Sequence, residues 1–302
     1  MAVDPLSEVI NLLQPHAVSS RRISGAGRWG VRYSEFGHPS FCGVISGTCR
    51  LAVDEQRPIT LNAGDFVLLP LTPGFTMSGL KPVRPVQFDP QVTAARLGDV
   101  RHGTRTGPPD VQLLGGWFVF DSPDATLLVS LLPGLIHVRG VGRLSTLVEL
   151  VAEESNEQRP GRDLVLNRLV EVLLIEALRS TRPYDAPPGL LRGLADPQLA
   201  IALRKMHSEI ARSWTVAHLA KQAALSRSAF FDRFTSTVGL RPMEYLLAWR
   251  MAVAKDLLRR EDVSVDEVAE RVGYGSASTF STAFRRHVGQ APSHYARQTG
   301  RG

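Results

Sequence analysis

The sequence has few cysteines, no long apolar run and no signal peptide. Only Cys42 and Cys49 occur among 302 residues, which excludes a disulfide framework, and no Cys-x-x-Cys or Cys/His set indicates zinc. The N-terminal segment has an acid at position 4 and no apolar core, and no stretch approaches the about 20 apolar residues of a membrane span. These absences predict a protein of the reducing cytoplasm that has no membrane partner. Packing in a core is the favoured role of the two cysteines.

Positive charge is concentrated in one third of the chain. Residues 197–302 hold 16 Lys and Arg against 9 Asp and Glu, whereas residues 1–196 hold 19 against 20. The net charge of +6 therefore arises wholly in the C-terminal third, which favours a polyanionic partner for that third alone. The length and the 43% hydrophobic content suit two folded domains rather than a disordered chain.

The pattern of apolar residues predicts strands in the first part of the chain and helices after it, so the expected fold class is α+β. Residues 4–13 predict a short helix, with Asp4 as its cap and Pro5 in its first turn. From about residue 20 to 120, short β-like runs cut by glycine and proline predict an antiparallel sandwich or barrel. Within this part, residues 80–110 are expected to be mostly loop.

Helices return after the predicted barrel, at 144–158 and 162–180. The second is apolar around most of its circumference, which predicts burial on two sides. Burial inside one domain and packing against the same helix of a second chain are both open, and the second alternative predicts a homodimer. The expected domains are 1–180, which includes the helices at 144–180, a linker at 181–197, and a helical domain at 198–302.

One stretch of the helical domain occurs twice, at an offset of 50 residues. The matched pairs include Ser226 and Ser276, Phe230 and Phe280, and Phe234 and Phe284. In each copy a first helix leads into a sharp turn, a serine caps a second helix, and two phenylalanines four residues apart hold that helix to the core. The pattern predicts two helix-turn-helix units whose second helices enter the major groove of DNA. An ordinary helical hairpin is the alternative.

The stretches "ALSRSAFFDRFTSTVGLRPMEYLLAWRM" and "VDEVAERVGYGSASTFSTAFRRHVGQAPSHYAR" resemble the DNA-binding region of AraC/XylS-type transcription regulators. The resemblance extends from Pro197 to Arg297 and implies an all-α domain of seven helices, in which a long helix joins two helix-turn-helix units. Residues 241–260 independently predict the long helix, because they contain no glycine and only one early proline. About 18 helical residues span roughly 27 Å, so the two units can reach successive major grooves about 34 Å apart.

Helical angles identify the side chains that face DNA when the paired phenylalanines point into the core. The predicted contacts of the first recognition helix are Ser226, Arg227, Ser228, Ala229, Asp232, Arg233 and Thr235, and those of the second are Ser276, Ser278, Thr279, Thr282, Arg285 and Arg286. Hydroxyl groups can bind base edges or phosphates, and Arg285 and Arg286 add electrostatic attraction. The arginines better placed for phosphates are Arg227, Arg233 and Arg241. Asp232 departs from the basic or neutral residue usual in relatives. Its carboxylate repels phosphates unless it accepts from a cytosine amine or pairs with an arginine.

The N-terminal part resembles the cupin sensor domain found on one branch of these regulators, chiefly through "DEQRPITLNAGDFVLLPLTPGFTM" at 54–77. Catalytic cupins bind a metal through a His-x-His pair, a Glu and a later His. Here the position expected for the His-x-His pair offers only His38, and Phe75 occupies the position expected for the later histidine. We therefore expect no metal, no cofactor and no catalytic residue. The barrel interior is expected to hold a small-molecule effector, and filling by its own side chains is the alternative.

Together these patterns predict a sequence-specific DNA-binding transcription regulator, expected to activate, whose cupin-like domain responds to an effector and changes the presentation of the DNA-binding domains. The predicted partners are double-stranded promoter or operator DNA, RNA polymerase, the effector and a second copy of the chain. The predicted location is cytoplasmic and associated with the nucleoid. The alternatives are a metal-dependent cupin enzyme fused to a helical module and a redox-sensing regulator using Cys42 and Cys49. A DNA-repair alkyltransferase is a weaker one, because the chain lacks the metal-binding cysteines for that chemistry.

Overall fold

The structure, a computed structural model, has the α+β fold class expected from the sequence. The residues it describes are 4–35, 37–81, 83–88, 99–120, 122, 125–130, 132–156, 159–181, 188–260 and 263–299. The chain divides into two compact units. One comprises residues 14–121 and 133–182 and is termed the sheet unit; the other comprises residues 1–13, 122–132 and 183–302 and is termed the helical unit.

The sheet unit is built on a curled sheet with ten strands among the described residues. They are β1 Pro15–Ala26, β2 Gly30–Tyr33, β3 Ser40–Val53, β4 Ile59–Asn62, β5 Phe66–Leu69, β6 Phe75–Ser78, β7 Val86–Phe88, β8 Val100–Gly103, β9 Val111–Phe120 and β10 Ile136–Val138. Their main order is β7-β2-β6-β3-β9-β1-β8, with β4 and β5 also paired to β3, and β10 paired to β5. The long strand β3 pairs with four others because different segments of its 14 residues meet different partners. Its register against β9 shifts between Val44 and Ser46, and such irregularities bend a strand.

The sheet is mixed, so the expectation of a purely antiparallel arrangement is wrong for two strands. β7 runs parallel to β2, and β8 runs parallel to β1. Both lie in 80–110, which was expected to be mostly loop, and they contain only three and four residues. Their partners are distant in the chain, with Val31 opposite Val86 and Ile23 opposite Val100, so no hairpin pattern marks them.

The described helices are α1 Pro5–Leu13, α2 Ala125–Ser130, α3 Gly142–Asn156, α4 Arg162–Ser180, α5 Leu190–Ala195, α6 Pro197–Ser208, α7 Val216–Gln222, α8 Arg227–Val238, α9 Pro242–Arg260, α10 Val265–Arg271, α11 Ala277–Val288 and α12 Pro292–Thr299. The seven helices α6 to α12 agree with the number that the resemblance implied for the DNA-binding part. Of the others, α3 and α4 belong to the sheet unit, and the remainder belong to the helical unit.

The first helix of the chain packs with helices from its far end. α1 contacts α6 and α9, and its face of Leu6, Val9, Ile10 and Leu13 is buried. The predicted domain 1–180 had grouped this helix with the sheet. The predicted linker contains a folded part, α5, while residues 182–187 lie outside the described residues. The limits 1–180, 181–197 and 198–302 stay predictions.

Helix α4 is buried on one side only in the single chain. It packs on α3 and β1 through Leu166, Val170, Leu173, Leu174, Ala177 and Leu178. On its other side the exposed fractions are 65% for Leu164, 43% for Val165 and 38% for Val172. Burial of this helix on two sides therefore does not occur within one chain.

Candidate nucleic-acid interface and apolar cavity

The first helix-turn-helix unit consists of α7 and α8. The Thr215 hydroxyl caps α7 by accepting a hydrogen bond from the His218 N–H at 3.1 Å. The chain then turns at Ala224, which has a φ of 53°, an uncommon value for a residue other than glycine. The Ser226 hydroxyl caps α8 by accepting from the Ala229 N–H at 3.2 Å, as the sequence predicted.

The second unit repeats this construction with α10 and α11. The Ser264 hydroxyl caps α10 through the Glu267 N–H, and the Ser276 hydroxyl caps α11 through the Thr279 N–H, both at 3.2 Å. Gly273 in the turn has a φ of 81°, and a Cβ there would lie 2.4 Å from the Ala211 carbonyl oxygen. Only glycine fits this position, because both the backbone angle and the space exclude a side chain.

The phenylalanine pairs anchor both second helices to the core. The ring centres of Phe230 and Phe234 are 5.5 Å apart, and the ring of Tyr245 meets Phe234 edge-on at 5.8 Å. Phe280 and Phe284 are 5.4 Å apart in the second unit. The four phenylalanine side chains are fully buried. Each helix therefore has one fixed face, and the orientation of its opposite face follows from helical geometry.

The opposite face of each second helix carries most of the predicted DNA contacts. Ser226, Arg227, Ser228, Ala229, Asp232, Ser276, Ser278, Thr279, Thr282, Arg285 and Arg286 are all exposed or half-buried. Thr235 is half-buried, and its hydroxyl donates to the Phe231 carbonyl at 2.8 Å. The Thr282 hydroxyl likewise donates to the Ser278 carbonyl at 3.0 Å, which leaves its oxygen able to accept a further hydrogen bond. The contacts of these residues with DNA stay predictions.

Helix α9 connects the two units. Its 19 residues give a length of about 28 Å, close to the value expected from the sequence. It packs against α8, α10 and α12, so it contributes to the cores of both units. The guanidinium of Arg250 on α9 donates to the Ile210 carbonyl at 3.0 and 2.8 Å, which fixes the segment between α6 and α7.

Arg233 on α8 makes contacts that sequence reasoning missed. Its Nε donates to the Asp196 carboxylate at 2.6 Å, and its Nη1 donates to the Gln198 side-chain carbonyl at 2.8 Å. Asp196 immediately precedes Pro197, the first residue of α6, and Asp followed by Pro is a signal for a helix start. That signal could have identified Asp196 as a cap. Its pairing with a residue 37 positions away carries no local pattern.

An apolar cavity of about 100 Å³ lies inside the sheet unit. Most of its lining is aliphatic or aromatic, and the polar exceptions are Arg21, Ser34, Ser40, Cys42 and Thr72. On one wall the rings of Tyr33 and Phe75 stack with their centres 4.6 Å apart, and Phe88 meets Tyr33 edge-on at 5.4 Å. A lining of this kind suits a largely apolar organic ligand with few polar groups.

Two family models match the sequence. A cupin model covers residues 4–181, and a helix-turn-helix domain model covers residues 219–298. A putative AraC-like transcription regulator of Streptomyces lividans is 37% identical over 97% of this chain and 98% of its own length. The chain belongs to the family of AraC-like transcription regulators.

One further curated relative and one solved structure are also similar to parts of this chain. The HTH-type transcriptional regulator AlkR of Acinetobacter baylyi is 36% identical over 57% of this chain and 58% of its own length. The crystal structure of the DNA-binding domain of AdpA in complex with a target DNA is 35% identical, covers 34% of this chain and 92% of that chain, and has a TM-score of 0.33. The two family models and the Streptomyces relative confirm the resemblance stated from the sequence, with its cupin-like and helix-turn-helix parts.

His38 and Phe75, the two residues compared above with metal-ligand positions of a catalytic cupin, each stack on an aromatic ring in this AraC-like regulator. Phe75, at the place of the later histidine, stacks on Tyr33, and His38 stacks on Trp117 with ring centres 5.5 Å apart. Among the described residues no group of three or more His, Cys, Asp or Glu side chains is placed to hold a metal ion. The relatives are transcription regulators, which indicates a role other than catalysis.

The two cysteines of this AraC-like regulator are free thiols in apolar surroundings. Burial raises the pKa of Cys49 to about 12, and the nearby Asp65 carboxylate adds to the effect. Burial also raises the pKa of Cys42, which lines the cavity. Thiolates are the reactive form, so neither environment favours redox chemistry.

No helix within the described ranges is both long and apolar enough to span a bilayer.

Proposed function

We propose that this AraC-like regulator binds a specific double-stranded promoter or operator site by placing α8 and α11 in successive major grooves. The observation that carries the proposal is the matched construction of the two helices. Each is capped by a serine, held by two buried phenylalanines, and presents polar side chains to solvent. Such an arrangement fixes which side chains can meet base edges before DNA arrives.

The predicted contacts divide into two classes. Ser228, Ser278, Thr279 and Thr282 are suited to base edges, and Arg227, Arg285 and Arg286 are suited to phosphates. Arg285 and Arg286 follow one another near the end of α11 and are both exposed. We expect them to supply salt-dependent affinity with little sequence preference, because phosphate contacts release bound counterions.

Substitution of both arginines tests this proposal. The Arg285→Gln/Arg286→Gln chain is expected to bind a selected duplex more weakly. The slope of log affinity against log salt should fall by about 0.9 for each phosphate that the altered chain no longer neutralises. The measurement is fluorescence anisotropy with a labelled duplex over a range of salt concentrations. Arg105→Gln, an exposed arginine of the sheet unit, is the matched control and should leave the slope unchanged. An unchanged slope in the double variant would contradict the proposal.

The cavity in the sheet unit supports a second part of the proposal, modulation by a small-molecule effector. Its apolar lining and few polar groups favour a small, mostly apolar organic molecule. An effector acts by binding one conformation better than another, so its differential affinity sets how far DNA binding shifts.

We further propose that the regulator activates transcription, contacts RNA polymerase at the promoter and works in the cytoplasm on the nucleoid.

We also propose that two chains form a homodimer through the exposed side of α4. Leu164, Val165 and Val172 share that side and are exposed by 65%, 43% and 38%. The helix is continuous from Arg162 to Ser180, so two copies can pack along several turns. Burial of this apolar surface against a second α4 would meet the expectation of burial on two sides.

A further inference from the structure

The segment that precedes α6 is folded onto α8, the recognition helix of the first unit. The Gly189 N–H donates to the Thr237 carbonyl at 3.0 Å, and Arg233 donates to Asp196 at 2.6 Å. Arg233 and Thr237 are four residues apart, which places them on one side of α8, one turn from each other. Residues 188–198, which include α5 and the first two residues of α6, are termed the brace.

The brace also packs tightly between these two hydrogen bonds. A Cβ at Gly193 would lie 2.8 Å from the Leu203 Cδ1 and 2.9 Å from the Val238 Cγ2. A side chain at this position would require the Leu203 or Val238 side chain to move, so glycine favours the close approach of α5 to α6 and to the end of α8. Pro188 lies against Gly239, which ends α8 in the left-handed conformation. The brace therefore contacts α8 from its middle to its C-terminal end.

Asp196 links α6 to α8 through its two carboxylate oxygens. Oδ1 caps α6 by accepting from the Gln198 N–H at 3.0 Å and from the Leu199 N–H at 3.1 Å. Oδ2 accepts from Arg233. Burial opposes ionisation of Asp196, but the hydrogen bonds from Leu199 and Arg233 outweigh it and lower the pKa of this carboxyl.

Gln198 extends the link to the turn of the same unit. Its side-chain carbonyl accepts from Arg233 at 2.8 Å, and its side-chain amide donates to the Ala223 carbonyl at 3.1 Å. Ala223 ends α7, immediately before the turn. One arginine and one glutamine therefore connect the brace to both helices of the first unit.

The second unit lacks an arginine at the position that matches Arg233. At the offset of 50 residues, the position that matches Arg233 is Ala283, whose side chain forms no ion pair. The two recognition helices share their caps and their phenylalanine anchors, but the ionic link that Arg233 makes to the brace has no counterpart at the matching position of α11, Ala283.

We propose that Asp196 and Gln198 are positioning residues that set the orientation of α8 through Arg233, and that they thereby set base discrimination in the first half of the DNA site without affecting the second half. The inference rests on the proposed DNA binding. The brace includes residues 188–197 of the predicted linker, so a conformational change that reaches this part of the linker is expected to alter how α8 contacts DNA. A signal from the cupin-like domain would then change base discrimination in one half of the operator.

This role and a direct phosphate contact by Arg233 predict opposite effects of removing Asp196. If Arg233 binds phosphate, its release from Asp196 strengthens DNA binding and steepens the salt dependence. If Arg233 positions α8, its release leaves the helix less well oriented, and discrimination in the first half falls. The ratio of affinities for matched and scrambled half-sites separates the two, because general electrostatic attraction cancels in that ratio.

The test uses the full chain and a duplex that the unaltered chain selects from a random library. In each of two further duplexes, one half-site is scrambled. The Thr282→Ala variant identifies the half-site that α11 contacts, because this variant should discriminate less between the matched and scrambled sequences of that half-site. Asp196→Ser retains a capping hydroxyl but removes the ion pair, and Arg233→Gln removes the other partner. Each single variant is expected to lower the ratio of affinities for the matched and scrambled first half-site about fivefold, the upper range for a partly exposed ion pair. The double variant should lower this ratio no further, because both substitutions remove the same interaction. Second-half discrimination should be unchanged.

Arg271→Gln is the matched control, because it removes a partly exposed ion pair with Glu267 on α10 and should not affect the first half. Melting temperatures, and Asp196→Asn as a second variant that keeps a cap, exclude loss of folding as the cause. Three results would overturn the inference: stronger binding by Asp196→Ser with a steeper salt slope, an equal loss in both halves, or additive effects in the double variant. Selection of no duplex by the unaltered chain would instead overturn the proposed DNA binding.

Discussion

At the scale of single residues, surroundings decide what each side chain can do. Arg233 and Arg285 both lie on recognition helices, yet the first is bound by Asp196 and Gln198 and the second is exposed near the end of α11. Sequence spacing assigned both to DNA because helical angles report direction and not partners. The difference matters for affinity, since an arginine already paired within the protein contributes less net attraction to phosphates.

The two cysteines provide a prediction at the same scale. Cys42 and Cys49 should react slowly with a thiol reagent at pH 8 in the folded chain, because burial raises both pKa values and little thiolate is present. The measurement is the absorbance, over time, of the aromatic thiolate that the cysteines release from an aromatic disulfide reagent. The same chain in strong denaturant is the control and should release two equivalents at once. Rapid reaction of either cysteine in the folded chain would revive the redox-sensing alternative.

Residues whose roles are local were predictable from the sequence. The capping role of Ser226 and Ser276 and the burial of the phenylalanine pairs are confirmed, because a cap acts within three residues and helical spacing places two side chains on one face. The partners of Arg233 were not found, because Asp196 lies 37 positions away. Asp65 and His137 illustrate the same limit: their side chains are 3.1 Å apart and 72 positions apart in the sequence.

At the scale of secondary-structure elements, the predicted helices at 162–180 and 241–260 agree with α4 and α9 within one residue at each end. Residues 157 and 158 of the predicted helix 144–158 lie outside the described residues. The short strands β7 and β8 were missed, because three or four residues carry too little pattern and their parallel partners are remote. The sequence predicts a linker where α5 forms, since prolines and glycines surround this segment. Its structure depends on contacts with α6 and α8, which local propensity does not report.

The exposed side of α4 gives the prediction for this scale. Val172→Glu should convert the proposed dimer to a monomer, because a carboxylate placed in an apolar helix pair costs more than the pair can offset. Sedimentation velocity at several protein concentrations measures the change, and circular dichroism checks that the helix content is kept. Val86→Glu is the matched control, since Val86 is 71% exposed on β7. If the unaltered chain sediments as a monomer at tens of micromolar, the proposed dimer is wrong.

At the scale of the whole molecule, the helical unit includes both the beginning and the end of the chain. The buried His207 on α6 connects them: its Nδ1 lies 2.6 Å from the Glu8 carboxylate on α1, and its Nε2 lies 2.8 Å from the Tyr245 hydroxyl on α9. A neutral imidazole satisfies both groups by donating from Nδ1 to Glu8 and accepting at Nε2 from Tyr245. Residues 199 positions apart therefore share one hydrogen-bond network.

This network predicts that the helical unit loses stability in mild acid. Burial lowers the pKa of His207, and the attraction of Glu8 and Asp4 only partly opposes it. The unfolded chain, with a histidine pKa of about 6.5, then binds more protons than the folded chain below that pH. Stability is complete above the unfolded pKa. As the pH falls through the interval down to the folded pKa, stability decreases by at most about 1.4 kcal/mol for each pH unit.

Hydrogen exchange in peptides from α6 and α9 measures this loss between pH 7.5 and 5.5, after correction for the intrinsic exchange rate. His207→Gln should reduce the difference between the two pH values, because glutamine can donate and accept a hydrogen bond but does not titrate in this range. His294→Gln is the matched control: His294 is an exposed histidine of the same unit, and its Nδ1 lies 2.7 Å from the Gln290 side-chain oxygen. An equal pH response in the unaltered and His207→Gln chains would show that the link between α1, α6 and α9 does not depend on a neutral His207.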